Sequence, residues 1–257
     1  MKQFILSSPP DSKGMVRLSG NDFHYLVRVR RLKEGAVFNA VLPDGNKVRV
    51  LVQSLAGGCL TGECLPLALI DETSLPPILL FQALPKDAKL DLIVRQAAEC
   101  GITEIRPFIS DYSIPRRNGA DRVERWRRII KEARQQSGSS TVTEITAPCT
   151  TGALLNYWET VKTKAVRPLG IFFHQDPLVQ GGFHDYLSNS PDLVALAVGP
   201  EGGFSPEEVS QFLMTGFKPL VIGNTILRTE TAALYAAAAV RIILLENTAW
   251  TLTTSSR

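Results

Sequence analysis

Twice in its last third the chain runs from an apolar strand through a glycine-marked turn into a helix start, and this pairing narrows the folds open to it. The first unit is the apolar run Leu193 to Val198, the turn Gly199-Pro200-Glu201-Gly202-Gly203, and the helix opening Phe204-Ser205-Pro206-Glu207-Glu208. The second is Leu220-Val221-Ile222, a turn from Gly223 to Arg228, and the opening Thr229-Glu230-Thr231-Ala232-Ala233. Each apolar run reads as a buried strand. Two such units close together in a chain bring their turns to one edge of a parallel sheet, where α/β proteins bind ligands.

The preceding residues alternate in the same manner. Ile78 to Leu84 reads as a strand, and Lys86 to Cys100 as a helix with Leu90, Ile93, Val94 and Ala97 on one face, ended by Gly101. A strand from Ile102 to Ile109 follows. Next comes a helix with Val123, Trp126, Ile129, Ile130 and Ala133 inward and a basic outer face, solvated and partly paired. A helix over 150–162, a strand from Leu169 to His174 and a short helix over 182–189 lead into the two turns. The last helix begins near Thr229, which can cap it, and runs to about Leu245. Its alanines allow close packing against the sheet or another subunit, and the polar residues from Asn247 read as a frayed tail. Alternating β and α elements predict an α/β domain with a mostly parallel sheet.

Residues 1–75 differ. Val37 to Leu42 and Lys47 to Val52 flank Pro43-Asp44-Gly45-Asn46, a hairpin signal, and further glycines suggest a small β-barrel. A short helix through Phe23 to Arg31, capped by Asn21 or Asp22, places Arg28, Arg30, Arg31 and Lys33 at one corner. That corner is either a solubilising cluster or a patch that contacts phosphates. Residues 71–77 read as a linker.

Composition excludes several classes. An apolar content of 44% and a charged content of 21% suit a soluble globular chain, and 257 residues suffice for one or two cores. No run approaches the roughly 18 apolar residues of a membrane span, and the N-terminus lacks a signal-peptide pattern. Four cysteines without a C-x-x-C pair and three scattered histidines argue against a zinc site or a disulfide framework, and for a cytoplasmic protein with reduced thiols and no metal. The net charge of +3 is unevenly spread: basic residues outnumber acidic ones up to residue 134 and are outnumbered after it. A basic first half suits an anionic partner such as RNA.

The turns limit the ligand. Ser205, Pro206 and Glu208 form a helix start with a capping box and need no catalytic role. Gly199, Gly202 and Gly203 let backbone groups approach a ligand, yet the turn matches neither phosphate-binding glycine motif, and Glu201 would repel a triphosphate. An uncharged or cationic ligand fits better, such as a purine nucleoside bearing a sulfonium. Glu230 in the first turn of the last helix suits the helix dipole, whereas Arg228 just before it opposes the dipole and is the stronger functional candidate.

The segments Ala197 to Phe204 and Ile226 to Ala232 resemble the RsmE family, SPOUT-class methyltransferases that act on N3 of a uridine in 16S ribosomal RNA. His24 to Arg31, Leu84-Pro85-Lys86, Ala97 to Gly101, and Glu124 to Trp126 through Gly138 resemble further motifs of that family in the same order. The resemblance implies a PUA-like RNA-binding β-barrel over 1–72, a SPOUT α/β domain over 73–247 with a deep trefoil knot around a mostly parallel sheet, and a flexible tail over 248–257. It implies a homodimer that binds S-adenosylmethionine, with 16S rRNA in the small ribosomal subunit as partner and no membrane. The cofactor would be held by Phe173 and His174, by Leu196, Val198, Gly199, Pro200, Glu201, Gly202 and Gly203, and by Ile222, Gly223, Ile226, Leu227, Arg228 and Thr229. Arg28, Arg30, Arg31 and Lys33 would hold RNA. Gln96, Ser140, Thr143 and Thr225 depart from the family's usual residues and bear on RNA affinity and base positioning rather than on reaction type.

Uridine N3 must lose its proton to accept a methyl group. Arg228 is the candidate to stabilise charge on the uracil oxygens, and Glu230 or Glu201 to take the proton. Two alternatives carry the same fold: a non-catalytic rRNA-binding assembly factor, and a SPOUT methyltransferase acting on another RNA position.

Overall fold

The computed structural model describes residues 3–66, 75–86, 89–113, 120–175, 181–223 and 225–254. Over the first 66 residues buried and exposed positions alternate along the strands, the pattern of a sheet with one covered face. The strands are β1 (Phe4–Ile5), β2 (Met15–Ser19), β3 (Val37–Val41), β4 (Lys47–Ala56) and β5 (Cys59–Pro66), ordered β1-β3-β4-β5-β2. β3 and β4 form the predicted hairpin, in which Asp44 Oδ1 accepts the Asn46 N–H at 2.9 Å within the turn. Phe4, Val16, Leu18, Leu26, Phe38, Val50 and Leu60 fill the core beneath this sheet.

The helix expected from Phe23 to Arg31 takes another form. A single turn, α1 (Gly20–Phe23), starts from Ser19 rather than Asn21 or Asp22, and His24–Val29 then widens into a π turn in which Arg30 N–H donates to the Tyr25 carbonyl. Such widened turns recur at functional sites. Residues Arg134–Val142 cluster with this first unit, as Gln3 Nε2 donates to the carbonyls of Arg134 (3.2 Å) and Ser139 (2.8 Å).

The second unit (Thr73–Ala133 with Thr143–Arg257) is α/β. Its elements are β6 (Ile78–Ala83), α2 (Lys89–Glu99), β7 (Glu104–Ile109), α3 (Ala120–Ser137, of which the residues from Arg134 on cluster with the first unit), β8 (Glu144–Ile145), β9 (Cys149–Thr150), α4 (Thr151–Lys162), β10 (Pro168–Phe173), α5 (Phe183–Ser188), β11 (Leu193–Val198), α6 (Pro206–Met214), β12 (Lys218–Leu220) and α7 (Thr229–Thr254). The strands pair in parallel in the order β12-β10-β11-β6-β7-β8, with β9 also on β7.

Side-chain parity sorts the helices onto two faces. Ile78, Leu80, Val194, Leu196 and Val198 pack with α2, α3, α5 and α7. Leu79, Phe81, Ala83, Leu193, Ala195 and Ala197 pack with α4 and α6 around Trp158, Phe172, Phe204, Phe212 and Phe217. Every residue of β6 and β11 is buried, as expected for central parallel strands.

Two boundaries differ from the sequence reading. The linker expected over 71–77 lies mostly outside the described residues. α7 continues to Thr254, so the tail expected to be flexible from residue 248 is helical up to there; no glycine or proline after Leu245 supplies a stop signal. Among the described residues no helix is long and apolar enough to cross a membrane.

Candidate active site

Both glycine-marked turns leave the carboxyl ends of strands in one sheet, so the sheet itself brings them together. With the segment after β10 they line a cavity of about 710 Å³. Phe173, His174 and Gln175 form one wall. Val198, Gly199, Pro200, Glu201 and Gly203 form the second, and Val221, Ile222, Gly223, Thr225, Ile226, Leu227, Arg228, Thr229 and Ala232 the third. The His174 N–H donates to the Leu220 carbonyl at 3.1 Å, joining the first wall to the strand that feeds the third.

Local geometry explains the first turn. Gly203 has φ +73°, a left-handed conformation, and its N–H donates to the Pro200 carbonyl at 3.0 Å. A Cβ on Gly199 would stand 3.2 Å from the backbone carbon of Gly203, so this turn closes on itself too tightly for a larger residue. Two residues expected at the ligand are not among those lining this cavity. Leu196 is buried in the core within β11, and Gly202 faces the side chain of Tyr112. Gln175, Val221, Thr225 and Ala232 join the lining without having been singled out for it in the sequence.

The charged residues do not stand alike. Arg228 is exposed at the cavity wall and forms no ion pair among the described residues. Glu201 also lines the cavity but is held firmly. Its carboxylate accepts from Lys89 Nζ at 2.7 Å and from the Lys86 N–H at 3.1 and 3.2 Å. Burial pushes the Glu201 carboxyl upward, but hydrogen bonds from Lys89 and the nearby backbone outweigh it and leave the group below its ordinary value. The same bond to Glu201 raises Lys89. Glu230, in the first turn of α7, is not part of the lining; its Oε2 stands 3.7 Å from Lys89 Nζ and has no hydrogen-bond partner among the described residues.

Thr229 does not cap α7. It is the first residue of that helix, and its hydroxyl donates to the Gly199 carbonyl at 2.7 Å while accepting from Gln82 Nε2 at 3.0 Å. The predicted capping box of α6 is present, with Ser205 Oγ accepting from Glu208 N–H and Glu208 Oε2 from Ser205 N–H. Glu208 does more than cap, however: only 2% exposed, it also accepts from Ser110 Oγ (2.8 Å), Thr151 Oγ1 (3.0 Å) and Asp111 N–H (3.3 Å). No local pattern could have announced these partners, which come from the end of β7 and the start of α4.

In the first unit Arg28, Arg30, Arg31 and Lys33 are all exposed on and just after the π turn, and Arg31 has φ +57°, rare for a non-glycine residue. Of the departures, Thr225 alone lines the cavity. Thr143 is buried and donates to the Ile102 carbonyl, the Ser140 carbonyl accepts from Arg134, and Gln96 lies within α2. Among the described residues no cluster of three or more metal-ligating side chains occurs.

Comparison with known proteins agrees with this architecture. The family described as RNA methyltransferase domain matches residues 72–241, and the RNA methyltransferase PUA domain matches residues 18–57. The ribosomal RNA small subunit methyltransferase E of Synechocystis is 33% identical over 232 residues, covering 89% of this chain and 73% of its own. The protein of that name from Bacillus subtilis is 28% identical over 249 residues, covering 93% and 92%. The crystal structure of ribosomal RNA small subunit methyltransferase E from Neisseria gonorrhoeae, bound to S-adenosyl methionine, superposes with a TM-score of 0.81 at 26% identity, covering 95% of this chain and 98% of the other. With a PUA-like unit ahead of a parallel α/β unit, and with both glycine-marked turns on one cavity, the chain belongs to the RsmE family of RNA methyltransferases.

Proposed function

We propose that this chain transfers a methyl group from S-adenosylmethionine to 16S ribosomal RNA of the small subunit, at N3 of a uridine. The cavity carries the reading. Its volume of about 710 Å³ lies within the range of small-molecule sites, roughly 300–1,000 Å³. Phe173, Val198, Ile222 and Leu227 offer apolar surface for an adenine, and the turns offer backbone groups for its polar edge. Glu201 suits a cationic sulfonium better than a phosphate. Bound there, the cofactor supplies an electrophilic methyl group.

The protein's part is to hold the uracil and manage one proton. Arg228 stabilises negative charge as N3 loses its hydrogen. Glu201, committed to Lys89 and the Lys86 amide, anchors the turn. Glu230, one residue beyond the lining Thr229, has a buried carboxylate oxygen without a hydrogen-bond partner among the described residues, and of the two it is the proton acceptor in this reading. The target base leaves its stack to reach the cavity, while Arg28, Arg30, Arg31 and Lys33 hold RNA backbone without selecting sequence.

The same reading places the enzyme in the cytoplasm as a homodimer. Tyr235, Ile242 and Leu245 share one exposed face of α7, with Tyr235 and Ile242 both 55% exposed, and a second copy covers that face. It also makes the C-terminal segment a trefoil knot. The strand order supports this, because β12 lies beyond β10 while α7 returns to pack against α2 and β6.

The test is transfer of labelled methyl groups from S-adenosylmethionine to small ribosomal subunits lacking the modification. Incorporation that disappears in Arg228→Ala supports the reading. Cofactor binding without transfer to any RNA would leave an assembly factor in its place.

A further inference from the structure

Gln82 sits at the carboxyl end of β6 and is wholly buried. By strand parity it shares a face with Ile78 and Leu80, the side on which α7 packs. Its Nε2 donates to the Ala83 carbonyl at 2.9 Å and to Thr229 Oγ1 at 3.0 Å, and Thr229 Oγ1 donates to the Gly199 carbonyl at 2.7 Å.

The proton directions in this chain are forced. A carbonyl only accepts, so the atom facing Ala83 is the amide nitrogen. The same nitrogen faces Thr229, whose oxygen must therefore accept. The single hydroxyl proton of Thr229 is left for Gly199. Gly199 opens the first glycine-marked turn and Thr229 directly follows the second, so hydrogen bonds from one buried amide link the two. Gln82 Oε1 has no hydrogen-bond partner among the described residues. An apolar side chain of similar size would avoid that unpaired acceptor, so global stability does not account for an amide here.

We propose that Gln82 is a positioning residue of the transfer site. Through Thr229 it holds the two turns in register and sets the width of the cofactor cavity without touching the cofactor. The proposal rests on reading the cavity as the S-adenosylmethionine site, but its geometric part is separable from that reading.

The experiment compares Gln82→Met, Thr229→Val, Thr229→Ser and the double variant Gln82→Met/Thr229→Val with the unmodified protein. Amide hydrogen exchange is read without ligand, S-adenosylmethionine affinity by calorimetry, and kcat at saturating cofactor. Exchange should rise together in residues 199–204 and 225–232 in Gln82→Met and Thr229→Val and stay put elsewhere, with Thr229→Ser like wild type. Cofactor Kd should rise about tenfold in Gln82→Met, the worth of roughly one net hydrogen bond, with kcat at saturating cofactor within about twofold because Gln82 touches neither the cofactor nor the reacting groups. The double variant should be no weaker than Thr229→Val.

Exchange that rises in one turn only, affinity unchanged in Gln82→Met, or losses that add in the double variant would overturn the proposal. If Gln82→Met does not fold, the contrast between Thr229→Val and Thr229→Ser decides it by the same exchange readout. A wild-type protein that binds no S-adenosylmethionine would remove the proposed function, and the coupled exchange would still decide the relay.

Discussion

Replacing Glu208 tests whether the first turn is anchored as described. The carboxylate is 2% exposed and accepts from four donors. Two of these are hydroxyls with some freedom to turn, and Thr151 Oγ1 already reaches the Ile109 carbonyl at 3.2 Å. The other two are the backbone N–H groups of Ser205 and Asp111, which cannot reverse. Hydrogen bonds to a charged acceptor contribute about 1.5–3 kcal/mol each, but removing a buried charge returns its desolvation cost. With the two amides orphaned, the expected loss for Glu208→Ala is about 3 kcal/mol, a fall in Tm of about 6–12 °C for a chain of this size. Glu208→Gln should fall between wild type and alanine, because its NH₂ must face one of the two N–H groups whichever way the amide turns. Thermal and urea unfolding, read with cofactor affinity, measure both. Glu208→Ala within about 1 kcal/mol of wild type, or Glu208→Gln as stable as wild type, would refute the argument.

Three further outcomes follow from the same geometry. Arg228→Ala should lower kcat by about 10² or more, the usual scale for one charge-stabilising donor, with a smaller effect on cofactor affinity in calorimetry. For the Lys89–Glu201 pair, the folded-state value of Glu201 is lowered and that of Lys89 raised. Its contribution is therefore present across the neutral range, lost as pH falls through the depressed Glu201 value, and lost again as pH rises through the raised Lys89 value. The stability gap between wild type and Lys89→Met should be flat near neutrality and close at both ends of a pH series of urea melts. Neutralising Arg28, Arg30 and Arg31 together should weaken RNA binding regardless of sequence. It should also reduce the log–log salt slope by about one for each phosphate no longer neutralised, as read by filter binding at several salt concentrations.

The sequence was most informative where local rules govern. The apolar runs at Ile78–Phe81 and Leu193–Val198 announced central parallel strands, and Ser205-Pro206 with Glu208 announced the start of α6. Gly199 and Gly203 marked a turn whose tightness is visible in its Cβ distances and φ angle. What stayed hidden depends on distant partners. Lys89 lies 112 residues from Glu201, and Gln82 lies 147 from Thr229; neither carries a local pattern. Thr229 looked like a cap because threonine often is one, but its hydroxyl is drawn to Gly199 by the closeness of the two turns. The π turn at His24–Val29 was hidden because its composition is that of an ordinary helix, and only the Arg30-to-Tyr25 bond reveals the wider winding.

The central claim is that this cavity brings S-adenosylmethionine to N3 of a uridine in 16S ribosomal RNA. Its most direct test is nucleoside mass spectrometry on small subunits from a strain lacking this activity, after incubation with the protein and methyl-labelled cofactor. Label should appear in 3-methyluridine and be absent with Arg228→Ala. Label in a 2′-O-methyl ribose or in another base would contradict the assignment of the target atom, and no label in any nucleoside would contradict the enzyme itself.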